Sequence, residues 1–206
     1  LDPKTVLNTT IGTLVIAFLI GLYLSYATDW RLTFFILTGA FASVYYTNYL
    51  ARSLLGELFA GLCLGTLVVL GTYFVFAQSL SYSVIIVSIP PGILTALLLL
   101  LNEFPDEEAD RFGGRRHLVI KFGKKKAAYI YSVGLVITYM LIIISVVVGG
   151  APKTILISLL TVPLAVKSAY IAIRYGDNRE RLIPALGMNV GVVIGTDFLL
   201  GIGYLL

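Results

Sequence analysis

Leu101-Asn102-Glu103-Phe104-Pro105-Asp106-Glu107-Glu108-Ala109-Asp110-Arg111-Phe112-Gly113-Gly114-Arg115-Arg116-His117 is a polar stretch between two long apolar runs. Five of the eleven acidic residues lie between Glu103 and Asp110, and seven of the fifteen Lys and Arg follow between Arg111 and Lys126. Asn102, Asp106 and Asp110 recur every four residues, so on a helix they form one stripe of oxygen ligands. Pro105 suits a first helical turn and is expected to start a short helix ahead of Asp106.

The rest of the chain says where this stretch sits. Of 206 residues, 58% are hydrophobic and only 13% charged, with a mean hydropathy of +0.95. A soluble domain carries nearly twice that charge, so the composition implies an all-α, polytopic membrane protein. One cysteine, Cys63, and one histidine, His117, exclude a disulfide framework and a Cys- or His-clustered metal site. A bilayer core of about 30 Å needs roughly 20 apolar residues per helix. Hydropathy predicts seven spans, at 5–26, 31–49, 57–77, 82–101, 125–149, 153–174 and 182–205. Thr28-Asp29, Gln78-Ser79 and Gly149-Gly150-Ala151-Pro152 punctuate them, and Pro90-Pro91 is expected to kink or break the fourth. Gly56, Ala60, Gly61 and Gly65, and again Gly187, Gly191 and Gly195, are spaced for close packing within one bundle.

Orientation follows from the loops. With the N-terminus on side one, that side holds twelve Lys and Arg against two on the other, so side one is expected to be cytoplasmic. The segment 102–123 then reads as a cytoplasmic active-site loop of a single domain, 1–206.

Two carboxylates at this spacing suit Mg²⁺, which keeps several waters and takes one or two carboxylates plus substrate phosphate oxygens. Asn102 adds a neutral oxygen. Arg115, Arg116 and Lys121 are suited to neutralising a diphosphate. Glu107 and Glu108 read as a solvated face, and Lys124, Lys125 and Lys126 as an anchor to anionic headgroups. Lys167 and Asp197 lie inside spans, where charge is costly; an interhelical ion pair or snorkelling of Lys167 is expected. An ion-coupled transporter using that pair is the rival from another class.

The segment Asn102 to Asp110, with Gly114-Arg115-Arg116-His117-Leu118 and Gly123, resembles the second aspartate-rich motif of the UbiA superfamily of intramembrane prenyltransferases. Its form is similar to the menaquinone branch. Tyr46-Thr47, with Arg52 and Gly56-Glu57, resembles a second segment of that branch. The resemblance implies nine transmembrane helices and two aspartate-rich motifs, with Mg²⁺ bridging both to a prenyl diphosphate. On that pattern seven spans of nine are present, and the chain is expected to lack the N-terminal two helices and the first motif. It further implies Asp106 and Asp110 as metal ligands and catalytic residues. Tyr46 would face an allylic cation, and Asn102, Arg52, Arg115, Arg116 and Lys121 would bind the diphosphate substrate. The implied partners are a polyprenyl diphosphate, an aromatic acceptor (1,4-dihydroxy-2-naphthoate, with 4-hydroxybenzoate or a glycerol phosphate lipid as alternatives) and the bilayer, with no nucleic acid.

Overall fold

The computed structural model describes residues 2–148 and 150–206; Leu1 and Gly149, the first residue of the expected Gly149-Gly150 turn, lie outside them. Among the described residues there is no strand. The chain folds as α1 (Pro3–Ala27), α2 (Leu32–Tyr45), α3 (Gly56–Gly61), α4 (Leu67–Ala77), α5 (Tyr82–Phe112), α6 (Leu118–Val147), α7 (Val162–Tyr175) and α8 (Arg179–Leu205). A π-turn at Leu62–Thr66 joins α3 to α4 in one span, and a 3-10 helix at Lys153–Thr161 leads into α7. Six of these spans are long and apolar enough to cross a membrane. The expected span 31–49 is instead the 14-residue α2, about 21 Å long at 1.5 Å per residue. After Tyr46 a turn and a 3-10 helix, Leu50–Arg52, carry the chain to the site.

Helix α5 is the axis of the bundle. Leu94, Leu97, Leu100, Leu101 and Phe104 are buried along it and pack with Val119, Tyr131 and Leu135 of α6 and with Leu182, Ala185 and Val192 of α8. Neither Pro90-Pro91 nor Pro105 interrupts it: the helix is continuous from Tyr82 to Phe112. The irregularity falls on its partner. The π-turn Leu62–Thr66 lies against Pro91 and Gly92, and a Cβ on Gly61 or Gly65 would collide with Gly92 backbone. The small residues are therefore needed for this crossing, as their spacing suggests. Gly191 and Gly195 similarly admit Leu164 and Thr161, whereas Gly187 faces open space.

A group of polar side chains at the centre of the bundle is paired. Tyr131 Oη donates to Asn189 Oδ1 at 3.0 Å and lies 2.8 Å from Ser168 Oγ. Asn189 Nδ2 donates onward to the Leu97 carbonyl at 3.3 Å. This network joins α5, α6, α7 and α8 where no water is available to compensate a buried polar group. At the opposite end from the carboxylate stripe, Arg31 pairs with Asp29 at 2.7 Å and donates to the Gln78 carbonyl, tying two turns together.

Candidate active site

Helix α5 carries the stripe in its last turns. Asn102, Asp106 and Asp110 lie on one helix, with Asn102 and Asp106 exposed and Asp110 half-buried. Most of the expected loop 102–123 is thus helical, because the helix needs no break at Pro105; the turn itself is short. The chain reverses at Gly113 and Gly114, and Gly114 has φ of +77°, a left-handed conformation that favours glycine. The Arg115 amide then donates back to the Asp110 carbonyl at 2.9 Å. Its guanidinium Nη1 reaches Asp110 Oδ1 at 3.3 Å.

A second, distant segment clamps this turn. The Arg116 amide donates to the Ala51 carbonyl at 2.9 Å, and the Leu54 amide donates to the Arg116 carbonyl at 3.1 Å. Arg52 consequently lies beside the turn, its guanidinium carbon 4.0 Å from a Cβ built on Gly114. Tyr46 lies at the end of α2, its hydroxyl 3.4 Å from a Cβ built on Gly56. Burial pushes the Tyr46 phenol up, as does Glu103, while Arg115 opposes them, so the ring stays neutral at physiological pH. The Arg116 side chain is exposed and makes no ion pair among the described residues. Lys121 is exposed, its ammonium 5.1 Å from the Phe122 ring centroid, and no ion pair joins it to the stripe.

Glu107 holds Arg111 at 2.8 Å and Lys124 at 3.7 Å, so it helps join α5 to α6 rather than standing solvated by itself. Glu108 is exposed. Gly123, with φ of +78° and ψ of 156°, separates a first turn of α6 from its long membrane part.

Three residues of the site had no role assigned from sequence. Glu57, Glu103 and His117 are 5%, 6% and 3% exposed. Glu57 Oε1 accepts the Leu118 amide at 2.8 Å. His117 Nδ1 accepts the Ile120 amide at 3.4 Å and caps α6. Its Nε2 lies 3.4 Å from Asp110 Oδ2, and Glu103 Oε2 lies 3.4 Å from Nδ1. Burial holds the His117 imidazole below its usual range, against the opposing pull of Asp110 and Glu57. Helical periodicity offers the signal for Glu103: it follows Leu100 by three positions on the core-facing side.

Beside the stripe a pocket of about 430 Å³ is lined by Tyr46, Asn102, Ser43, Phe59, Cys63 and Leu99, among others. A second cavity of about 650 Å³ is lined by Tyr73, Ser83, Asp197 and Tyr204. Asp197 Oδ1 is buried there without a hydrogen-bond partner. The Lys167–Asp197 ion pair is not formed, and Lys167 is exposed. Asp197 faces a cavity lined by α4, α5 and α8, to which α7 contributes no residue, whereas Lys167 is on the exposed face of α7. The transporter reading thereby loses the ion pair it was built on.

A family model for the UbiA prenyltransferase family matches residues 1–190. The chain belongs to the UbiA prenyltransferase family. It is 29% identical over 209 residues to a protein of Bacillus subtilis (strain 168) named 1,4-dihydroxy-2-naphthoate octaprenyltransferase, a match covering 100% of this chain and 67% of that protein. It is 26% identical over 150 residues to the 2-carboxy-1,4-naphthoquinone phytyltransferase of Synechocystis sp. (strain ATCC 27184 / PCC 6803 / Kazusa), covering 73% of this chain and 49% of that one. The chain thus spans about two thirds of one relative's length and half of the other's. No solved structure matches it. The family and the apolar spans together make it a multi-pass integral membrane protein.

UbiA prenyltransferases generally depend on a divalent metal. Among the described residues, no group of three or more His, Cys, Asp or Glu is arranged to hold one. The donor set fits a partial site: two carboxylates on one helical face suit an ion that takes its other ligands from water and phosphate. Asp106 is exposed and makes no ion pair among the described residues, while both oxygens of Asp110 already face cation or imidazole.

Proposed function

We propose that this protein transfers a polyprenyl group from its diphosphate to an aromatic acceptor, 1,4-dihydroxy-2-naphthoate, for quinone biosynthesis. The observation that carries this is the convergence of Tyr46 and Arg52 with Asp110 and Arg115, beside an apolar pocket, in a chain of the UbiA family. Both named relatives act on naphthoate-type acceptors by their names, which supports the ring class.

The allylic C–O bond breaks with its electron pair leaving on diphosphate, a ring carbon of the acceptor bonds to the resulting cation, and the ring regains aromaticity as that carbon loses its proton to water or its carboxylate as CO2. Arg115, Arg116 and Arg52 face the departing charge, where fixed guanidinium groups need no reorganisation as it develops. Lys121 adds positive charge at the start of α6. Asp106 and Asp110 would hold Mg²⁺, with Asn102 as a neutral neighbour. When bound, the ion neutralises diphosphate oxygens and makes the leaving group better. Tyr46, kept neutral, offers a π-face to the cation rather than a phenolate that would trap it. The pocket bounded by Phe59, Cys63 and Leu99 excludes water from the cation and accepts apolar substrate. The excess of Lys and Arg on this end of the bundle supports a cytoplasmic location for the site.

The test is diphosphate release by the purified full protein in lipid vesicles, given a polyprenyl diphosphate and 1,4-dihydroxy-2-naphthoate. Asp106→Ala and Asp110→Ala should each abolish the Mg²⁺-dependent release. Substantial activity in both variants overturns the assignment.

A further inference from the structure

Glu57 Oε2, Glu103 Oε2 and His117 Nε2 are buried and lack hydrogen-bond partners. Of these, His117 Nε2 lies 3.4 Å from a carboxylate of the stripe, Asp110 Oδ2. We propose that His117 is a positioning residue for Asp110, presenting an Nε2–H donor that fixes the carboxylate in the orientation needed to hold a divalent cation. This rests on the reading of Asp110 as a cation ligand.

The tautomer follows from the helix cap. Nδ1 accepts the Ile120 amide hydrogen, so in a neutral ring the proton is on Nε2, the nitrogen facing Asp110. The opposite tautomer would give up the cap and set two lone pairs against each other at Asp110. Glu103 on α5 flanks the ring at Nδ1, and Arg115 faces the far side of Asp110 through Oδ1. Each Asp110 oxygen therefore meets its own nitrogen.

The imidazole is also unusually well anchored for this task. It is 3% exposed, its cap ties it to α6, and Glu57 ties the first amide of α6 to α3. Asp110, in contrast, lies in the last turn of α5, where helices fray. A rigid donor outside that turn removes rotamer freedom that the carboxylate would otherwise lose on binding the ion. At 3.4 Å, Nε2 is close to Asp110 Oδ2 without making a hydrogen bond. Such contacts commonly tighten only when the ligand arrives. Asp106 has no comparable support among the described ion pairs.

Two conservative variants separate the two ends of the ring. Asparagine places its oxygen near the Nδ1 position and keeps the cap but cannot reach Asp110; glutamine places its nitrogen near Nε2 and keeps the donor. Mn²⁺ binding to the full protein in detergent, with inorganic diphosphate present, is read by electron paramagnetic resonance, and folding by thermal unfolding without metal. His117→Asn should unfold like the parent yet bind Mn²⁺ about tenfold or more weakly, the usual effect of losing a group that orients a ligand. His117→Gln should unfold earlier yet keep the parent affinity. Parent-like Mn²⁺ affinity in His117→Asn, or loss in both variants alike, reduces His117 to a helix cap and overturns the proposal. Asp110→Ala serves as the control: unchanged Mn²⁺ binding there would instead sink the assignment of Asp110 as a ligand, and the positioning role with it.

Discussion

Glu57 and Leu118 are joined across the fold: Glu57 Oε1 accepts the Leu118 amide hydrogen at 2.8 Å, although the two are 61 positions apart in sequence. The bond fixes the start of α6 against α3 at the point where the Arg115–His117 turn ends. It therefore holds in register two segments that each supply site residues. Glu57→Ala leaves a buried N–H without a partner and should cost about 1–3 kcal/mol of stability. Glu57→Gln retains an accepting oxygen and should lose clearly less. Thermal unfolding of the two variants in one detergent checks the order.

Arg115 should matter for the diphosphate substrate and little for the acceptor. Replacing it with Gln removes a charge-assisted contact to a leaving group, worth about 1.5–3 kcal/mol, or roughly tenfold or more in kcal-derived rate terms. Arg115→Lys should recover only part, because a point charge lacks the planar fork. Steady-state kinetics with each substrate varied in turn should show the loss against polyprenyl diphosphate. An effect confined to the acceptor KM would contradict the assignment.

The buried network around Tyr131 should be a stability determinant. Asn189→Leu strips Tyr131 Oη of one partner and leaves the Leu97 carbonyl without its side-chain donor. A loss of about 1–3 kcal/mol is expected, because water cannot replace the missing partner inside the bundle. Tyr131→Phe should be milder: it strands only Asn189 Oδ1, while Ser168 Oγ and Asn189 Nδ2 keep their bonds to the Ala185 and Leu97 carbonyls. Chemical or thermal unfolding in detergent distinguishes the two.

Glycines in similar spacings should differ sharply in tolerance. Gly65→Ala drives a methyl group into Gly92 backbone at the π-turn crossing and should destabilise by about 1–3 kcal/mol. Gly187→Ala meets nothing within 4 Å and should be neutral or slightly stabilising through helix propensity. Parallel unfolding curves decide this, and equal effects would mean the crossing is less tight than described.

Lys167→Met should leave both prenyl transfer and stability nearly unchanged, within about 0.5 kcal/mol. Its side chain is exposed and forms no ion pair among the described residues. Activity assays in vesicles and unfolding in detergent provide the two readouts.

The sequence alone determined the membrane class, six of the seven expected spans and the face on which Asn102, Asp106 and Asp110 align. Those properties are local: hydropathy needs only a window of chain, and helical periodicity places residues four apart on one side wherever the helix lies. Tertiary structure decided what stands opposite that face. No pattern within either segment sets Arg116 against Ala51 and Leu54, or gives Glu57 the Leu118 amide, because those bonds close loops of some sixty residues. The face each helix turns inward was equally out of reach: Asp197 looks into a cavity lined by α4, α5 and α8, while Lys167 stays on the exposed face of α7. His117 shows the limit most clearly. As a lone histidine it excludes a histidine-clustered metal site, but only the folded chain, by capping α6 with Nδ1, aims its other nitrogen at Asp110.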